Sequence, residues 1–218
     1  MISPPPIITS RLRGLRVVLL ATLFVAMALV TACETTREVV PVDDPEGGWA
    51  ERLAVLATVV EWTAVGKLGL QSAQDSWSAG LTWHQLPDSF AIRLSGPLGQ
   101  GMMELSGSPG LVEMRTADDV YRAGSAEELM QSHAGWQVPL SGLRHWILGR
   151  PDPEAPVAEL ELDPAGRVAS LRQVGWRIRY DQYDEFDGVV LPTKLTLENA
   201  RVRAKLVLRS WRTGPAST

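Results

Sequence analysis

In Trp77-Ser78-Ala79-Gly80-Leu81-Thr82-Trp83, every second side chain is apolar or small, and the residues between are small or polar. A period of two puts Trp77, Ala79, Leu81 and Trp83 on one face only if the backbone is extended. The same alternation returns in Phe90, Ile92 and Leu94, and Leu86 to Ser89 between them carries turn chemistry. Two antiparallel strands joined by a short hairpin follow. Toward the N-terminus, Val65, Lys67 and Gly69 alternate against Gly66, Leu68 and Leu70, with a turn at Gln71 to Asp75. Toward the C-terminus, Met103 and Leu105, then Val112 and Met114, extend the meander, and a short strand near Val120 ends the first half.

The period then changes. Ser125 caps a helix, Glu127 and Glu128 suit its positive first turn, Leu129 and Met130 are its apolar contacts, and Gly135 ends it. A second helix starts after Pro139 with Ser141 as its cap, presents Leu143, Trp146, Ile147 and Leu148, and stops at Gly149 and Pro151. Strands resume at Val157 to Leu162 and, after the turn Asp163-Pro164-Ala165-Gly166, at Arg167 to Gln173. Trp176, Ile178 and Tyr180, then Leu191, Leu195 and Leu197, then Ala204, Leu206 and Leu208 complete the pattern. In front of all this, Leu53, Leu56, Ala57 and Val60 share one helical face of Trp49 to Val60. The expectation is a mostly β chain of about eleven antiparallel strands, with two helices in the middle and one ahead.

A twisted sheet of that size curls, since open sheets rarely exceed ~10 strands. If it curls without closing, Trp77, Trp83, Phe90, Met103, Met114, Trp146 and Trp176 line an apolar hollow covered by the central helices. If it closes, the same side chains fill a solid barrel core.

The chain has 218 residues, a net charge of -4 and one cysteine. That charge points neither to nucleic acid nor to an acidic membrane surface. Cys33 closes Val30-Thr31-Ala32-Cys33, behind an apolar run from Val17 to Val30 and the cations Arg11, Arg13 and Arg16. The run is shorter than the ~20 residues that cross a bilayer as a helix. The arrangement resembles a bacterial lipoprotein signal, which implies cleavage before Cys33 and a covalent N-acyl and S-diacylglycerol lipid on it. Glu34 at the next position implies passage to the outer membrane. The expected organisation is a signal at 1–32, a lipid-anchored tether rich in acidic residues, Pro and Gly at 33–48, a folded domain at 49–213 and a tail at 214–218. With Cys33 acylated, no thiol remains for a metal site, a disulfide or catalysis.

No Gly-x-Ser-x-Gly elbow or phosphate-binding loop is present, and His84, His133 and His145 lack the close spacing of a helical metal site. The expectation is therefore no catalytic residue, no metal and no cofactor beyond the lipid. A lipid hydrolase with a spatially assembled triad and a structural scaffold remain the alternative classes.

Three stretches carry a family resemblance: Arg93 to Gly99 with Met103-Glu104-Leu105; Gly135-Trp136-Gln137-Val138-Pro139 through Trp146-Ile147-Leu148-Gly149; and Gly175 to Tyr180 with Tyr183, Leu191-Pro192 and Trp211. In content and order they resemble the LolB family of outer-membrane lipoprotein receptors over nearly the whole chain after Cys33. The resemblance implies an open, incomplete antiparallel barrel with a helical lid. It also implies a periplasm-facing monomer that takes acylated lipoproteins from the carrier LolA and inserts them into outer-membrane phospholipid. Leu98, between Pro97 and Gly99, reads as a loop tip, and the resemblance implies that it protrudes as the membrane-insertion residue.

Overall fold

The structure, a computed structural model, describes residues 42, 44–73, 75–96, 102–134 and 139–214. Cys33 with the segment before it, most of the tether, the Pro97-Leu98-Gly99 loop, Gly135 and residues 215–218 lie outside the described residues.

Helix α1 spans Pro45–Thr58, beginning four residues before the expected Trp49. The start is dictated locally. Asp44 caps it by accepting from the Gly47 N–H at 3.0 Å, and Pro45 occupies the first turn, where its missing N–H costs nothing. Its inward face also differs from the expected one: Leu56 and Val59 are buried, whereas Ala57 and Val60 face solvent. The helix ends at Thr58, and Val59 swings inward as the chain turns into the sheet.

Among the described residues eleven strands follow: β1 (Trp62–Ser72), β2 (Ser76–Gln85), β3 (Phe90–Ser95), β4 (Met103–Ser108), β5 (Leu111–Arg115), β6 (Val120–Ala123), β7 (Val157–Leu162), β8 (Val168–Gln173), β9 (Trp176–Phe186), β10 (Val189–Glu198) and β11 (Val202–Thr213). They form one antiparallel sheet in the order β6-β5-β4-β3-β2-β1-β11-β10-β9-β8-β7. Every pair of neighbours in the sheet is consecutive in sequence except at one seam, where β1 pairs with β11 from Trp62↔Thr213 to Ser72↔Val202. β6 and β7 are the free edges, so the sheet is an open barrel and not a closed one.

Alternation reads directly onto burial. In β2, Ala79, Leu81 and Trp83 are buried and Ser78 and Thr82 exposed, and in β9 Trp176, Ile178 and Tyr180 are buried and Arg177 and Arg179 exposed. The seam contains a bulge at Val65/Gly66. A Cβ at Gly66 would strike the carbonyl oxygen of Val207, so only glycine lets the two strands approach there. Below the bulge, Trp62 packs against Trp83 (5.1 Å between centroids) and edge-on to Trp211 (5.3 Å). The Trp211 Nε1–H donates to the Pro192 carbonyl at 2.9 Å, which satisfies its polar atom inside this cluster.

Between β6 and β7 the chain forms two short helices. Helix α2 spans Ala126–Leu129 and continues as a wider π-turn through Met130–Ala134. Ser125 caps it as expected, accepting from the Glu128 N–H at 3.2 Å. Helix α3 spans Leu140–Trp146, with Pro139 at its N-cap position and no side-chain cap of its own. The expected cap, Ser141, instead lies inside the first turn. Its N–H donates to Glu127 Oε1 at 3.0 Å, so the orphan donor of α3 is satisfied by α2.

Candidate functional site

The inward side chains at one end of the sheet stop short of filling it. Leu68 and Leu70 of β1, Leu81 and Trp83 of β2, Ile92 and Leu94 of β3, Met103 and Leu105 of β4, Trp176 of β9, Leu197 of β10, and Ala204 and Leu206 of β11 form the floor and walls of a cavity. Met130 of the π-turn after α2 and Leu140 and Leu143 of α3 roof it. The space is about 70 Å³, and every residue around it is apolar. Its lining offers water no hydrogen-bond partner.

Of the seven aromatic and methionine residues singled out in the sequence, Trp83, Met103 and Trp176 border this cavity. Met114 and Trp146 are packed in solid core at 2% and 0% exposure. Phe90 borders a neighbouring groove of about 240 Å³ toward the opposite end, which meets the cavity at Trp83, Ile92 and Leu140 and has Glu127, Ser141 and Arg144 on its walls. Trp77 is half-buried against the core. The leucines and Ala204 that make up most of the wall were not singled out. Their signal was the inward phase of each strand, and the landing place of the roof is what separates wall from core.

The roof is fastened unequally. At the end of α3, Trp146 Nε1–H donates to Gln173 Oε1 at 2.7 Å, and the Asp152 N–H donates to the same oxygen at 2.9 Å. The Gln173 amide donates to the carbonyls of Asp152 (2.8 Å) and Ala155 (2.7 Å). Tyr180 adds a bond from its hydroxyl to the Trp146 carbonyl at 2.8 Å. Gln173 is 0% exposed and spends all its amide capacity on this one attachment. The chain leaves α3 through Gly149 at φ +79, packed so closely on Tyr183 and Pro192 that a side chain would meet both. At α2 the polar bonds to the sheet are fewer among the described residues: His133 stacks on Tyr121 of β6 at 3.8 Å, Ser125 and Glu127 make the bonds given above, and Ala126, Leu129 and Met130 are buried in the core.

His145 lies beside the fixed end, 8% exposed, with Nε2 accepting from Arg144 Nε at 3.2 Å and 3.8 Å from Asp152 Oδ1. Burial, then the charges of Arg150 and Arg144, push its pKa down from 6.5 to about 4, with Asp152 opposing. The folded protein therefore refuses a proton that the unfolded chain accepts below pH ~6.5. The contribution of His145 to stability is complete above that value and is lost as pH drops toward 4, by about 2–3 kcal/mol over the window. Chemical denaturation at pH 7 and pH 4.5 should show this loss, and His145→Gln should shrink it. An equal loss in both proteins would remove His145 from the explanation.

A family profile described as outer membrane lipoprotein LolB matches residues 60–211, which run from the entry of β1 to the end of the Trp cluster. This chain belongs to the LolB family. Among its LolB relatives, the outer-membrane lipoprotein LolB of Nitrosococcus oceani is 38% identical over 196 residues, covering 89% of this chain and 98% of that one. The LolB of Cellvibrio japonicus is 37% identical over 198 residues, covering 86% and 96%. Two solved structures resemble this LolB-family fold. A putative outer membrane lipoprotein-sorting protein domain from Vibrio parahaemolyticus has a TM-score of 0.50 at 12% identity, covering 80% of this chain and 95% of its own. A DUF1329 family protein from Desulfovibrio piger has 0.53 at 8% identity, covering 81% and 96%.

Proposed function

We propose that this chain is a lipoprotein receptor of the outer membrane, which accepts acylated lipoproteins in the cavity beneath α2 and α3 and inserts them into the inner leaflet. The observation that carries the reading is a wholly apolar cavity under a helical roof in a LolB-family chain. Each methylene of an acyl chain costs about 0.8 kcal/mol in water, so lipoproteins do not cross an aqueous gap unaided. An apolar hollow removes that cost.

At about 70 Å³ the cavity is smaller than an engineered ~150 Å³ void that holds one benzene. Loading therefore requires the roof to lift, and the unequal fastening sets the direction. The α3 end held by Gln173 stays, while α2 and the start of α3 move away from Leu94, Met103 and Leu197. Because the sequence has no phosphate-binding loop, transfer runs downhill: from a periplasmic carrier of the LolA kind, to this receptor, to phospholipid. The protein acts by binding and not by catalysis. It works as a monomer fixed to the membrane through a lipid on Cys33, with Pro97, Leu98 and Gly99 as its insertion loop.

Depletion of the protein in cells, followed by fractionation of other outer-membrane lipoproteins, tests the reading. Lipoproteins should accumulate on the periplasmic carrier. Unchanged sorting would overturn the receptor role.

A further inference from the structure

Two hairpins of the sheet use the same tight turn. Val174-Gly175 closes β8 to β9 with φ 52 and 76, and Asp187-Gly188 closes β9 to β10 with φ 50 and 80. Both are left-handed pairs of the type I′ kind, whose first position favours Asn, Asp or Gly. Asp187 conforms. Val174 does not, because a β-branched side chain at positive φ crowds its own backbone. It is also the most exposed large apolar side chain among the described residues, at 59%. A side chain that is strained and solvated adds nothing to the core, so its use lies outside the folded chain.

Its position says where. Gln173 pairs with Trp176, so the tip stands next to a wall of the cavity. Following the registers Glu198↔Arg177, Glu198↔Arg203, Ser72↔Val202, Gly80↔Ser95 and Leu94↔Met103 along the sheet, the tip shares one end with the start of β4. There Met102 is 50% exposed. The conforming Asp187 turn lies at the other end, beside Val189↔Phe186. Arg201 borders the same surface groove as Val174, together with Glu127, and Arg177 lies beside Gly175 opposite Glu198; both arginines are exposed and neither is in an ion pair among the described residues, while Arg172 pairs with Glu159 at 3.2 Å.

We infer that the Val174-Gly175 turn is a phospholipid-contacting tip. Val174 enters the boundary between headgroups and acyl chains, and Arg177 and Arg201 meet lipid phosphates. The cavity wall at Trp176 is thereby held against the bilayer that receives the cargo. This rests on the receptor reading above. A single apolar tip with two unpaired arginines beside it suits a lipid surface, where one inserted side chain and a few charges add to an existing anchor. It is far below the ~800 Å² per partner of a stable protein interface.

The test uses the full acylated chain reconstituted into vesicles of phosphatidylethanolamine and phosphatidylglycerol. Val174→Asn restores the residue that the turn prefers, so the variant should melt several degrees higher than the parent. It should accept an acylated peptide as the parent does yet deliver it to acceptor vesicles about tenfold more slowly, the loss expected for one buried valine. Val174→Cys carrying an environment-sensitive dye should be quenched by spin-labelled lipid, while Asp187→Cys with the same dye should not. Delivery by Val174→Asn at the parental rate, or equal quenching at both positions, would overturn the inference and leave the receptor reading intact. A parent that accepts no acylated peptide would overturn both.

Discussion

Ala204→Leu should weaken uptake of an acylated peptide by about 50-fold. Ala204 lies on β11 in the cavity wall, beside Leu197 and Leu206. Three added carbons occupy space that cargo methylenes would take, and three displaced methylenes at about 0.8 kcal/mol each correspond to that factor. The fold should tolerate the change, since the new atoms enter a void and not a packed region. Titration with a fluorescent acyl peptide, paired with a melting curve, separates the two effects. Unchanged uptake by a folded variant would mean that cargo binds elsewhere, the groove bordered by Phe90 and Arg144 being the next place to look.

Gln173→Leu should destabilise the protein by about 3 kcal/mol or more. Leucine matches the volume roughly and offers no hydrogen bond. The Trp146 Nε1–H, the Asp152 N–H and the carbonyls of Asp152 and Ala155 would all lose their buried partner at once. Each buried polar group left unpaired costs about 1–3 kcal/mol, and local relaxation recovers part of the sum. Gln173→Glu is a sharper comparison: the carboxylate still accepts from Trp146 and Asp152 but would face two carbonyl oxygens as an acceptor. Denaturant unfolding should rank both well below the parent. If Gln173→Leu unfolds like the parent, α3 is held by packing of Trp146, Ile147 and Leu148 alone.

The strands were legible because their signal is local. Alternation in Trp77 to Trp83 or Trp176 to Tyr180 needs only the two-residue period of an extended chain, and each inward residue so identified is buried or half-buried. Helix ends were less legible. The N-terminus of α1 depends on the Asp44-Pro45 pair, which sits in a stretch whose composition reads as tether. Ser141 has the right chemistry for a cap, but Glu127, fourteen residues earlier, reaches the donor from another helix. Least legible was the line between cavity and core. Met114 and Met103 have the same kind of side chain on neighbouring strands, yet Met114 is in solid packing and Met103 borders the void. What separates them is where α2 and α3 land, and that is decided by Gln173, Trp146 and Glu127 acting across long stretches of chain.

The β1 to β11 seam dictates the order of assembly. β1 lies in the middle of the sheet, but its second neighbour is the last strand of the chain. As the polypeptide emerges N-terminus first, β1 to β6 can zip by successive hairpins while β1 presents a bare edge and its inward leucines stay wet. Only when β11 has arrived can that edge close and Trp62 find Trp211. A sheet whose central pairing joins the two extremes of the fold has a high contact order and folds slowly. During that interval the half-made sheet is sticky, and this is the stage at which the newborn protein itself most needs a chaperone.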